Sequence, residues 1–297
     1  MPIGSSSWGF ELDKVLKHYY GLTYGEHDEK YSQFFEVMSS TRAYEESLNY
    51  SAFGAVPVKP KGGAISYDTA KENWKGRWEM VTYGKGFVVE RELWDDGLTG
   101  VIKSLPKALA RSVRYTVETL ATNILNNATT ASDTGPDGVC LVSNAHILGT
   151  SGTFSNRPTN YSDLDSTSIE QAYVDIGNWV DDRGLKIAAK PKRLVIPTET
   201  HWTAAKLLGS DKVPEDANNA INPAKGILPY TTSEFLTDTD AWYLTTDVPN
   251  GLTFYWRRRP EFTQDKDFDT ENAKWKVTFR CVPGWHDPRG VYGNTGA

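Results

Sequence analysis

Residues 104–127 read SLPKALARSVRYTVETLATNILNN. Leu105, Leu109, Val113, Val117, Leu120 and Ile124 recur at steps of four and three, which puts them on one stripe of a helix. Ala108, Ala121 and Leu125 widen the stripe. Ser104 has the side chain of an N-cap, and Pro106 would fall in the first turn, where a missing N–H costs little. Such a helix is about 36 Å long. Most of the remaining chain reads as strand, turn or irregular segment. One rod amid extended arms predicts a subunit shaped for assembly rather than a globule around a pocket.

Upstream of the rod, residues 10–20 carry a short amphipathic pattern, residues 21–30 are polar and loop-like, and Phe34, Phe35, Val37 and Met38 form an apolar anchor. The run Val56-Pro57-Val58-Lys59-Pro60-Lys61-Gly62-Gly63 excludes helix, because proline fixes φ and removes donors. Residues 64–68 alternate as a short strand, and residues 78–89 continue extended through Gly84 and Gly86. Together, residues 46–92 predict a two-stranded hairpin with an irregular tip. A lone ribbon is not stable in water, so it must lie on something, and a neighbouring copy is the natural support.

Downstream, residues 139–142 (Val-Cys-Leu-Val) predict a buried strand. Residues 166–250 predict a compact α/β unit. A helix capped by Ser166 or Thr167 runs to about Arg183, a strand at 193–197 is stopped by Pro197, and a short helix at 200–208 is closed by Gly209. Residues 211–219 form a polar loop, and Phe235-Leu236 and residues 242–244 read as short strands. Residues 252–256 and 275–282 alternate well on either side of an acidic turn, and a turn-rich tail starts at Gly284.

With 297 residues, 39% of them hydrophobic and 24% charged, the chain has a globular composition and room for about two domains. The 10 Trp and 15 Tyr point to large buried interfaces or a carbohydrate surface. A net charge of −6 argues against a non-specific nucleic-acid binder. Residues 1–50 hold four Lys/Arg against eight Asp/Glu, whereas residues 252–297 hold eight against six, so a polyanion would favour the C-terminal part, and only weakly. Cys140 and Cys281 fit free thiols in a reducing compartment. The start lacks the pattern of a signal peptide, and no apolar run approaches the ~18 residues of a membrane span. The expectation is a soluble protein made in the cytosol.

Candidate chemistry is sparse. Ser104-x-x-Lys107 has the spacing of serine acyl-enzymes but lacks their partner motifs, and an N-cap with a solvated lysine accounts for it. Asp265, Asp267, Asp269 and Glu271 alternate like the start of a calcium loop, but Thr270 stands where that loop needs glycine and Lys276 where it needs glutamate. His18, His27, His146, His201 and His286 share no metal-ligand spacing. Asp181 and Asp182 would diverge by about 100° on a helix. Gly84-Lys85-Gly86 lacks the other glycines of a phosphate loop. No catalytic, cofactor-binding or metal residue is assigned, and no cofactor is expected.

The order of parts is specific: an acidic arm, a Pro/Gly-tipped hairpin ending in Thr82-Tyr83-Gly84-Lys85-Gly86-Phe87-Val88-Val89-Glu90-Arg91-Glu92, a long helix, then Leu141-Val142-Ser143-Asn144-Ala145-His146, a compact α/β unit and returning strands. In this order the chain resembles the major capsid protein of tailed bacteriophages, with the α+β Hong Kong 97-type (Johnson) fold. Leu194-Val195-Ile196-Pro197-Thr198-Glu199 and Asn219-Ala220-Ile221-Asn222-Pro223 look like that family's axial domain. The resemblance implies an N-arm at 1–45, an E-loop at 46–92, a P-domain at 93–165 with spine helix 104–127, an A-domain at 166–250 tipped by 211–219, and P-domain return strands with a tail at 251–297. It implies no enzyme but a shell subunit assembling with itself as pentamers and hexamers around double-stranded DNA, without specific DNA binding or a membrane. The E-loop residues Tyr67, Trp74 and Trp78 would bury area on a neighbour. A separate scaffolding protein, a portal protein and, in members that carry one, a decoration protein are the implied partners, with synthesis in the host bacterial cytoplasm and residence in the virion. Lys59, Lys61 and Lys71 lie where some members crosslink, but no motif carries that chemistry over.

Two other readings remain open from the residues. An encapsulin-type compartment would share the fold. A carbohydrate-active protein would use the Trp and Tyr content, but would need a groove with paired carboxylates.

Overall fold

The computed structural model describes all residues except 1–7, 27, 52, 71, 97–98, 149–151, 213–219 and 268–269. In chain order, α1 (Trp8–Glu26) precedes β1 (Glu36–Ser39), β2 (Tyr44–Tyr50), β3 (Glu72–Glu79), β4 (Val81–Val89), α2 (Arg91–Asp95) and α3 (Thr99–Asn126). The second half holds β5 (His146–Leu148), β6 (Gly152–Phe154), α4 (Ser166–Gly177), β7 (Pro191–Ile196), α5 (His201–Gly209), β8 (Tyr230–Thr232), β9 (Trp242–Thr246), β10 (Leu252–Lys266), β11 (Ala273–Trp285) and β12 (Val291–Asn294).

The first sheet has the order β1-β10-β11-β4. β10 and β11 run antiparallel from the pair Leu252↔Trp285 to the pair Lys266↔Ala273, with irregularities on either side of Arg258. The period of two puts Trp256, Trp275, Val277, Phe279 and Cys281 on one buried face. α3 lies on that face through Leu109, Val113, Val117, Ala121 and Leu125. α1 packs beside α3 and closes the far end of the core, where Leu12 and Leu16 meet Ile102 and Trp275.

The second sheet has the order β12-β9-β7-β8. Its Leu194, Ile196, Trp242 and Leu244 pack under α4 and α5. Val195 and Tyr243, one position along, point to the opposite face and join the α3 core. Tyr243 donates its hydroxyl to the Leu125 carbonyl at 3.0 Å. The second sheet therefore lies between two helical layers, and its strands are buried on both faces.

Asn156 ties the loops between the two cores. Its buried amide nitrogen lies within hydrogen-bond reach of the carbonyls of Leu141 (2.7 Å), Pro288 (2.9 Å) and Val291 (3.0 Å), and its oxygen accepts from the Ser143 amide at 2.9 Å. His146 is buried at the start of β5, where it shares the Leu141 carbonyl with Asn156. Its Nδ1 faces Asp137 at 2.6 Å and its Nε2 faces the Leu141 carbonyl at 3.2 Å.

Several sequence expectations are corrected. α3 begins five residues before Ser104, which is therefore no cap: its hydroxyl donates to the Val101 carbonyl at 2.7 Å inside the helix. Pro106 is internal and removes one backbone bond, a cost of about 3 kcal/mol in an exposed helix. Burial of Ile102 against α1 and β11 offsets that loss and draws the helix start upstream. Ala108 is exposed, and the stripe runs instead through Ala110, Ala121 and Leu125. Leu105, Leu120 and Ile124 are its half-buried flanks.

The polar stretch 21–30 is no loop up to Glu26, because Leu12, Leu16, Tyr20 and Thr23 hold α1 onto the core. The expected ribbon is β2 with β3, whereas β4 leaves it for the first sheet. Residues 64–68 form no strand. Residues 139–142 make only one isolated bridge, Thr134↔Cys140, though Leu141 and Val142 are buried. Asp165, not Ser166 or Thr167, caps α4, in a reciprocal pair with Ser168, and α4 ends at Gly177 instead of Arg183. Phe235-Leu236 is a turn, and the tail supplies β12. Most of the polar loop 211–219 lies outside the described residues.

Placing a charge in the stripe should be far worse than placing one beside it. Val113→Asp is expected to destabilise by roughly 3 kcal/mol or more. Ala108→Asp should destabilise by no more than about 1 kcal/mol, which is the difference in helix propensity. Denaturant unfolding of the two variants checks both values.

Candidate assembly surface

In the β2–β3 ribbon, β2 has its polarity reversed, whereas β3 turns Trp74 and Trp78 towards the protein. In β2, Glu45, Ser47 and Asn49 face the protein, whereas Tyr44, Leu48 and Tyr50 face solvent together with Glu46. A ribbon lying on its own subunit would show the opposite alternation. Arg77 stacks on Tyr44 with its guanidinium 3.9 Å from the ring centre, and Lys75 pairs with Glu46 at 3.1 Å. The solvent face thus joins Tyr44, Tyr50 and Arg77, residue types enriched at protein interfaces, to the Lys75–Glu46 ion pair.

Between the strands, residues 53–70 form neither helix nor strand. The loop curls around an open hollow of about 820 Å³ lined by its own residues. Val56 is 95% exposed, Val58 93% and Tyr67 93%. The neck is built by Asp68, whose carboxylate accepts from the Gly54 amide at 3.0 Å and from its neighbour Thr69 at 2.8 Å. Arg183 donates to the same carboxylate at 3.3 Å and to the Thr69 carbonyl at 2.9 Å. The loop is therefore fixed at its base while its apolar side chains remain in water.

The ribbon is docked through His286. Its Nδ1 lies 2.6 Å from the Ser47 hydroxyl, its Nε2 lies 2.9 Å from the Tyr255 hydroxyl, and the Trp78 ring packs edge-on at 4.0 Å. Either hydroxyl can donate or accept, so a neutral imidazole is fully satisfied. Burial pushes the His286 pKa down to about 4, against the opposing pull of Glu45. A Cβ at Gly284 would come 2.4 Å from the Trp78 ring, so only glycine leaves room for it.

A second joint lies where α1 turns back along α3. Glu118 accepts from the Lys30 amide at 2.8 Å and the Tyr31 amide at 3.1 Å. Burial pushes its carboxyl up to about 7, while the two amides and Arg114 favour the ionised form. Arg114 donates to the Tyr24 carbonyl at 2.8 and 3.0 Å, which satisfies an orphan acceptor at the end of α1. Sequence reading missed both residues, since each looks like a solvated charge flanking the stripe.

Of the expected E-loop contacts, Tyr67 lies in the exposed loop and Trp74 is half-buried on β3. Trp78 is already covered in part by its own chain. α5 shows a further apolar side chain, Trp202, at 73% exposure. The possible chemical motifs disperse. Lys107 sits 5.0 Å over the Tyr19 ring, away from Ser104's bond. Asp181 accepts from the Arg183 and Leu185 amides in a turn. His201 faces Thr232, and Gly84-Lys85-Gly86 is part of β4. Asp265 lies in β10, Asp267 pairs with Lys274 and Glu271 with Arg91. Asp269, His27 and Lys71 lie outside the described residues. Among the described residues no group of three His, Cys, Asp or Glu could hold a metal ion, and no helix is long and apolar enough to cross a membrane.

The comparisons agree with this geometry. A family model described as phage capsid protein matches residues 77–294. No curated protein matches the sequence. Among solved structures, the fold is similar to the procapsid of bacteriophage JBD30, at 14% identity and a TM-score of 0.54, over 97% of this chain and 74% of that one. It is similar to a virus-like particle from Pyrococcus furiosus, at 10% identity and a TM-score of 0.55, over 95% and 98%. It is also similar to the capsid of an empty GTA particle, at 15% identity and a TM-score of 0.53, over 90% and 89%. At these identities the likeness is one of fold.

Protonation of His286 is resisted when the ribbon is docked and unhindered when it is free. Docking is therefore undiminished above pH 6.5 and weakens as pH falls from 6.5 towards about 4, by up to roughly 1.4 kcal/mol per unit. His286→Asn should lower stability at pH 7 and flatten the acid dependence of the unfolding midpoint. Glu118→Ala strips the acceptor from two amides and should cost roughly 2 kcal/mol, with Glu118→Gln milder because it keeps one acceptor. Denaturant unfolding at pH 7 ranks the two.

Proposed function

This chain belongs to the phage capsid protein family, and from that premise we propose that it is the major head protein of a tailed bacteriophage, many copies of which close into an icosahedral shell around double-stranded DNA. The observation that carries the reading is the projecting ribbon and loop, whose apolar residues face solvent in a single copy. In a shell those residues lie on a neighbour. Burying a Val, Ile or Tyr side chain of this kind is worth about 1.5–3 kcal/mol. Each contact can be weak, because closure multiplies the contacts that every subunit makes.

In this reading the ribbon and loop, residues 44–79, act as the E-loop. The first core with α3 as spine is the P-domain, and the second core is the A-domain, clustered about five- and six-fold positions in pentamers and hexamers. On the same reading the N-arm comprises α1 and residues 31–39, both of which lie against the first core of their own copy. Trp202 on α5 is suited to contacts within a capsomer. The net charge of −6 suits a wall that holds DNA without binding it, since slight repulsion avoids sticking. A scaffolding protein, a portal and a decoration protein are the partners such a shell would take, and the virion is its place. The role of the chain is structural.

Negative-stain microscopy and size-exclusion chromatography test this. Closed shells, tubes or capsomers are expected. A discrete 33.1 kDa species that never assembles with any scaffold would sink the proposal. The double variant Val58→Ser, Tyr67→Ser should unfold within about 0.5 kcal/mol of the parent chain, since both residues are exposed, yet fail to assemble.

A further inference from the structure

We propose that, in the assembled shell, residues 64–68 of one copy add as a strand to the open edge of β4 in a neighbouring copy. The inference rests on the shell reading and deepens it by naming the backbone contact between copies.

The receptor is unusual for a sheet edge. Among the described residues, β4 pairs with β11 and with no other strand. It runs nine residues and carries a single charge, Lys85, whose amine turns back to within 3.4 Å of the Ser112 hydroxyl on α3. Proteins usually blunt a long edge with charges, or keep it short, because unpaired N–H and C=O groups recruit other strands. The other edges follow that rule. β1 has four residues, β8 three and β12 four. β2 carries Glu45 and Glu46, and β3 carries Glu72, Lys75, Arg77 and Glu79. β4 alone is both long and nearly uncharged.

The donor is the complement of that edge. Ala64-Ile65-Ser66-Tyr67-Asp68 alternates in the manner of a strand, lacks proline, and holds β-branched and aromatic side chains at alternate positions. In one copy it has no strand partner, and Ile65 and Tyr67 are exposed. Five extended residues span about 17 Å, well within the length of the nine-residue edge. Asp68 is tied to Gly54 and Arg183, and Arg183 follows α4 of the second core, whereas β4 belongs to the first. That tether holds the segment away from its own β4 and leaves a second copy as the source. Main-chain pairing would give the contact affinity, and Ile65 and Tyr67 would set its register.

Hydrogen exchange on assembled and unassembled full-length chain tests this. Amides of Val81–Val89 and of residues 64–68 should both exchange at least tenfold more slowly in the assembly. Ser66→Pro removes a ladder donor from a segment outside the fold, so it should leave the unfolding midpoint of the free chain unchanged while abolishing both protections. Ser66→Ala should behave as the parent chain. Shells in which neither segment gains protection, or in which Ser66→Pro retains it, would overturn the contact while leaving the shell reading intact. Protection of β4 without residues 64–68 would overturn the donor. A parent chain that never assembles would instead overturn the shell reading, and this contact with it.

Discussion

Everything in this molecule is arranged around the burial of one helical stripe. α3 spans 28 residues, or about 42 Å, and its Ile102, Val113, Val117, Ala121 and Leu125 are covered along that whole length. Several elements share the cover. α1 and the far end of the first sheet take the N-terminal half, the aromatic run at Tyr31, Phe34 and Phe35 takes the middle, and Tyr243 of the second sheet reaches the last turn. Both sheets are thus fixed relative to the same rod. A helix that isolated peptides would sustain only marginally is held by tertiary packing rather than by propensity, and it even accommodates an internal proline.

Polar joints then set the angles at which elements leave the rod. Glu118 and Arg114 pin the chain reversal after α1, Asn156 gathers three carbonyls between the cores, and His286 docks the ribbon on β10. Glu118, Asn156 and His286 are buried, Arg114 is half-buried, and all four are paired, as a low-dielectric interior requires. Glu118 and His286 are both pushed by burial toward their neutral forms, which moves the carboxyl up and the imidazole down. Docking of the ribbon therefore weakens in acid, although its strands contain no histidine.

The ribbon also shows why this chain is incomplete as a single copy. On β2 Tyr44, Leu48 and Tyr50 turn outward while Ser47 and Asn49 turn inward, Trp74 and Trp78 of β3 face the protein, and the loop holds Val56, Val58 and Tyr67 in water. A single copy leaves that surface in water, whereas in the proposed shell a neighbouring copy would cover it. The loop's anchor at Asp68 and Arg183 limits the entropy lost on docking, because the base is ordered before the partner arrives.

The sequence by itself determined the long helix, the alternating strands at the C-terminal end, the compact α/β unit and the order of parts that carries the family resemblance. These are local periodicities and punctuation, and they need no knowledge of neighbours. The start of α3 was not legible, because a serine before a proline has the form of a cap wherever it stands. Only the contact of Ile102 with α1 and Trp275 decided that the helix starts earlier. The partner of β4 was equally hidden: residues 78–89 are extended in either arrangement, and long-range pairing with β11 separated β4 from the ribbon. The same holds for the joints. A glutamate, an arginine and a histidine become site residues only when the fold removes water from them, and burial is a property of the assembled tertiary structure that no local pattern encodes.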